Sequence, residues 1–174
     1  MDEEGEAAFK RELQKSKRHG LKSKEYAGAL QEIGMFYNRQ NRFAEANKAL
    51  TEALAILDGN PALLRDEPRS KVPNRPDPPG VVSHEAEQKP QAYQVMSNLL
   101  PQLVTARTGA KQYASAEKIL QRWLKMAEAP QNPVWDKMFA YTQYAELLRK
   151  MGRLNDAQTY EHKAQAINST IKGL

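Results

Sequence analysis

The 174-residue chain contains no cysteine. That one absence excludes a disulfide framework, a thiolate metal site and a cysteine nucleophile. It fits a reducing compartment without demanding one. Nowhere do about 18 apolar residues run consecutively, so no segment reads as a spanning helix. The opening stretch, Met1 to Ala8, holds four acids and no Lys or Arg. A signal peptide needs a basic start and an apolar run behind it, and this stretch has neither. The expectation is a soluble, cytoplasmic protein without a membrane span.

Histidine is also scarce. His19, His84 and His162 stand far apart, none at helical or metal-ligand spacing from another, and surface positions account for each. No P-loop, GxGxxG, GxSxG or HExxH motif is present. Glu45, Glu52 and Glu146 read as helix-face acids that pair with neighbouring bases. These absences predict a non-enzymatic protein with no metal and no cofactor.

Apolar residues make up 40 % of the chain, enough to build the core of one domain or a short array. Bases outnumber acids, 26 to 21, for a formal charge of +5. Part of the excess is local: Lys10, Arg11, Lys15, Lys17, Arg18, Lys22 and Lys24, with only Glu12 among them. Such a run attracts phosphate backbones or anionic surfaces. It holds no aromatic for base stacking, so a solvated helix face followed by a loop explains it more simply than a nucleic-acid site.

From Tyr26 to Asp58 the chain reads as two helices joined by a polar break. Leu30, Ile33, Gly34 and Tyr37 form one stripe at helical spacing; Asn38 to Arg42 interrupt it. Phe43, Ala46, Leu50, Ala53, Leu54 and Leu57 form the second stripe, closed by Asp58, Gly59, Asn60 and Pro61. Gly34 and Ala46 mark the point where the two helix axes come close, with large residues filling the grooves beside them. The layout returns near the end. Tyr141, Tyr144, Ala145 and Leu148 are followed by Gly152, then by Leu154, Ala157, Ala164 and Ile167. A weaker copy lies between them: Leu100, Leu103 and Val104, then Thr108 and Gly109, then Tyr113, Ala116 and Leu120. Pro101 should kink its first helix or delay its start.

This arrangement of small and large residues resembles the tetratricopeptide repeat, in Leu30, Ile33, Gly34, Tyr37, Ala46 and Leu50 above all. The usual starting Trp is replaced by Leu30, and Glu161 stands where the third copy should repeat Leu50. Ala116 and Ala157 are 41 positions apart and Ala46 and Ala116 are 70 apart. The shorter spacing exceeds the usual 34 and resembles the longer repeats of kinesin light chain. The resemblance covers about two-thirds of the chain. It implies an all-α, right-handed superhelical solenoid of three helical hairpins. The predicted organisation is a capping helix and basic segment over 1–24, repeat 1 over 25–59 and a Pro-rich insertion over 60–90. Repeat 2 follows over 91–129, and repeat 3 with the C-terminal end over 130–174. The insertion, with Val81 and Val82 as its only apolar pair, should be extended or mobile. Tyr141, Tyr144, Trp123 and Trp135 are expected in packing roles, and Asn168 to Leu174 as a fraying end.

The resemblance further implies a partner protein or peptide held in a concave groove lined by the first helices. The groove residues are expected to be Gln31, Met35, Asn38 and Arg39; Asn98, Thr105 and Thr108; and Thr142, Glu146 and Arg149. An ordinary solvated face would look the same in sequence. The carboxylate clamp of chaperone-tail tetratricopeptide domains needs Lys and Asn where this chain has Gln31 and Met35, so capture of such tails is not expected. Two alternatives stand beside the adaptor reading. One is nucleic-acid or anionic-surface binding through Lys10 to Lys24. The other is service as an accessory domain of a larger assembly, with self-association possible.

Overall fold

The computed structural model describes residues 2–65 and 91–172. Among these residues there are seven α-helices and no strand. They are α1 (Asp2–Ser16), α2 (Lys24–Arg39), α3 (Phe43–Gly59), α4 (Gln91–Gly109), α5 (Tyr113–Ala127), α6 (Val134–Lys150) and α7 (Leu154–Lys172). Short 3-10 turns follow α1 at Lys17–His19 and α3 at Pro61–Leu64. Each helix packs chiefly on its neighbours in sequence, so α2 pairs with α3, α4 with α5 and α6 with α7. Among the described residues no helix is long and apolar enough to cross a membrane.

The three hairpin turns are built alike. Each contains one residue in the left-handed region: Asn41 at φ 58°, Lys111 at 60° and Gly152 at 76°. In each, the next amide reaches back five residues. Arg42 N–H donates to Tyr37 O (2.9 Å), Gln112 N–H to Arg107 O (2.8 Å) and Arg153 N–H to Leu148 O (2.9 Å). This 6→1 bond satisfies a carbonyl that the helix end would leave bare. Four residues past each of these amides, Ala46, Ala116 and Ala157 lie fully buried.

Helix contact at these points requires small residues. A β-carbon at Gly34 would stand 2.6 Å from Leu50 Cγ, which is itself wholly buried. One continuous core runs from Tyr26 in α2 to Ala157 in α7, with Trp123 of α5 almost entirely enclosed. Tyr141 and Tyr144 are buried in it as expected.

Helix α1 caps α2 through Phe9, whose ring centroid lies 5.1 Å from that of Phe36, and through Leu13. Its Glu6 accepts from the Tyr37 hydroxyl (3.2 Å), receives the Arg42 guanidinium and pairs with Lys10 at 2.7 Å. Lys15 in its last turn complements the helix dipole. Gly20, at φ 102°, turns the chain, and Ser23 Oγ caps α2 by accepting from Tyr26 N–H.

Four expectations need correction. Helix α4 starts at Gln91 and runs through Pro101, so the proline does not delay its start. The insertion begins later than 60: Pro61–Leu64 is an ordered turn whose Leu63 and Leu64 pack on the core. Its remainder over 66–90, with Val81, Val82 and His84, lies outside the described residues. Asn168 continues α7, which extends to Lys172. Trp135 is 55 % exposed and does not pack between hairpins.

Candidate binding cleft

A cleft of about 260 Å³ opens between α4 and α6. Val104, Leu147 and Phe43 supply its apolar lining, and Thr105, Thr108, Gln143, Glu146 and Lys150 its polar one. On α6, Gln143, Glu146, Leu147 and Lys150 fall at i, i+3, i+4 and i+7, one face of the helix. Phe43 reaches the cleft because Gly109 leaves room for its ring. The Thr105 hydroxyl donates back to Pro101 O at 3.1 Å. The Thr108 Oγ1 is buried and has no hydrogen-bond partner.

The cleft face of α6 continues toward its N-terminus. Trp135, Phe139, Thr142 and Glu146 lie at i, i+4, i+7 and i+11, so they form one stripe. Trp135 and Phe139 are 55 % and 49 % exposed, and Val134 beside them is also half exposed. Phe139 meets the buried Trp123 edge-on, with centroids 5.4 Å apart. The stripe therefore runs from an anchored aromatic end to a charged end with Glu146 and Lys150.

The structure brings Thr105, Thr108 and Glu146 of the expected groove together, and Thr142 lies on the same α6 stripe. Gln31 and Met35, half-buried, and Arg39, exposed, belong to α2 and do not line this cleft; nor does Asn98, exposed on α4. Asn38 is buried instead of lining an open groove. Its Nδ2 donates to Gln102 O at 2.8 Å and to Gln102 Oε1 at 3.2 Å, and its Oδ1 has no partner. Arg149 is exposed, but its guanidinium is held by Glu161 of α7 at 2.7 Å. Asn38, Thr108 and Arg149 each sit three residues before the left-handed residue of their turn. In the first two hairpins that position faces the following hairpin, which is why Asn38 packs on α4 and Thr108 faces α6.

Gln143, Lys150 and Phe139 escaped the sequence reading, and Phe43 and Trp135 were expected only in packing roles. A signal for the aromatic pair was present: Val134, Trp135 and Phe139 add apolar residues beyond the stripe that Tyr141 and Tyr144 need.

The basic segment divides into distinct environments. Lys10 is paired with Glu6, which holds its ammonium pKa up. Arg11, Lys15, Lys17 and Arg18 surround a separate surface hollow with Gln14. Lys22 is exposed in the connection that leads into α2, and Lys24, half-buried, is the first residue of that helix.

Comparison with protein families, with curated proteins and with solved structures found no match for this chain.

Proposed function

We propose that this protein is a tetratricopeptide-like superhelix that holds a segment of a partner protein along α6. The observation that carries the proposal is the α4–α6 cleft continued by the exposed Trp135–Phe139 stripe. Exposed apolar surface rimmed by polar residues marks interaction sites, and aromatics are enriched among the residues that carry binding energy. An apolar partner side chain would seat on Trp135 and Phe139. The partner's backbone would then lie against Thr105 and Gln143, and its charges would meet Glu146 and Lys150.

The repeat assignment draws on the three matching turns and on a second regularity. Arg42 bridges Glu45 and Glu6 of α1, while Arg153 bridges Asp156 and Glu117 of α5. Glu6 and Glu117 each follow a small residue, Gly5 and Ala116. Gly5 precedes Ala46 by 41 positions, as Ala116 precedes Ala157. Helix α1 thus holds the place of the second helix of a preceding unit.

The test uses Trp135 as its own reporter. In a Trp123→Phe background the remaining indole is exposed and should emit at long wavelength. Partner proteins would be captured from nuclease-treated native lysate on wild type and on Trp135→Ser/Phe139→Ser/Glu146→Lys of unchanged helicity. A protein retained only by wild type, and shifting Trp135 emission to the blue on titration, supports the proposal. Equal retention by both forms sinks it.

A further inference from the structure

We infer that the end of α1 and the turn after it form a docking surface for anionic phospholipid headgroups, with Leu21 as its apolar insertion point. Arg11, Lys15, Lys17 and Arg18 line a hollow of about 490 Å³ to which no carboxylate contributes. Glu12 stands 3.8 Å from Lys15, with both side chains more than 60 % exposed. Such a pair contributes little in water. Arg11, Lys17 and Arg18 have no carboxylate partner among the described residues.

The helix dipole explains a cation in the last turn of α1. It does not explain Lys17, Arg18 and Lys22, which lie beyond the helix, nor the side chain set among them. Gly20 turns the chain in the left-handed region, and Leu21 follows 60 % exposed with Lys22 beside it. A single exposed leucine is ordinary. A leucine exposed at a chain reversal, next to Lys22 and three residues past Arg18, has the chemistry of a peripheral membrane contact. The cations meet headgroup phosphates while the apolar side chain enters the boundary with the acyl layer. A nucleic-acid backbone would answer the same charges but offers Leu21 no apolar host, and no aromatic lines the hollow for stacking. This surface does not include the α4–α6 cleft, so it stands or falls separately from the partner-binding proposal.

The test is flotation of the full-length chain with vesicles of phosphatidylcholine alone or with about 30 % phosphatidylserine. Binding to the anionic vesicles alone, lost when salt is raised to about 0.5 M, is the expected result. Arg11→Gln/Lys15→Gln/Arg18→Gln should weaken it on the order of a hundredfold, about fivefold per charge. Leu21→Ser, which changes no charge, should weaken it roughly tenfold. These residues are exposed, and circular dichroism checks that both variants keep their helicity. Three results would overturn the inference: no flotation with anionic vesicles, full competition by millimolar inorganic phosphate, or Leu21→Ser binding as wild type. Duplex DNA that binds the chain more tightly than the vesicles, independently of Leu21, would reassign the surface to nucleic acid.

Discussion

Phe43 of α3 lies directly against the α-carbon of Gly109 at the end of α4. A β-carbon built at 109 would meet the ring at 2.4 Å. This contact joins the first hairpin to the second and forms one wall of the candidate cleft. Gly109→Ala should therefore destabilise the chain by about 1–3 kcal/mol, because a rigid ring rather than a flexible chain end must move. Phe43→Leu in the same background should recover part of the loss. A double-mutant cycle by urea denaturation measures the coupling, and strict additivity would show that the ring is not what Gly109 accommodates.

Removing the Thr108 hydroxyl separates stability from binding. Its oxygen is buried without a partner, so Thr108→Val discards a desolvated polar atom at nearly constant shape. The variant should gain about 1 kcal/mol, or roughly 2–4 °C in melting temperature for a chain of this size. Because that oxygen is closed off from the cleft, the same variant should bind its partner as wild type does. Calorimetry of the free and bound protein reads both effects.

Attachment of α1 should be acid-sensitive. Hydrogen bonds from Arg42 and Lys10 lower the Glu6 pKa to about 2 from an ordinary value near 4.5. A depressed folded pKa contributes stability that is complete above the unfolded value and disappears as pH falls toward the folded one. The difference in stability between wild type and Glu6→Gln should thus shrink from about pH 4.5 to about pH 2. Hydrogen exchange in α1, followed across that range, should show its amides losing protection before those of α5. Simultaneous loss would show that the cap is held by its apolar contacts alone.

The equivalent turns should respond to the same exchange in opposite directions. Lys111 carries a side chain at φ 60°, whereas Gly152 occupies the same place without one. Gly152→Ala should cost about 1 kcal/mol, and Lys111→Gly should return up to about as much. Chemical denaturation of both variants checks the pair. A stabilising Gly152→Ala would mean that the third turn is not locked as the other two are.

Much of the helical framework could be read along the chain. The stripe from Leu30 to Tyr37, the break at 38–42 and the stripe from Ala46 to Leu57 became α2, a left-handed turn and α3. Glu161 could be seen to depart from the pattern of Leu50, but its partner Arg149 could not, because the pair joins two helices. The site was less legible. Asn38 and Thr105 both lie off the apolar stripe of their own helix, yet Asn38 is sealed against Gln102 of α4 while Thr105 stays open beside the cleft. Pro101 suggested a kink or a late start, yet α4 begins at Gln91 and buries Leu99, Leu100, Leu103 and Val104 around the proline.

The sequence by itself determined where helices begin, turn and end, and which face of each is apolar. Those features depend on spacing, capping residues and turn chemistry within a few residues of one another. Only the tertiary structure decided which polar positions a neighbouring hairpin covers and that Trp135 and Phe139 stay half exposed. Exposure is a property of what packs across from a side chain, and that partner lies tens of residues away.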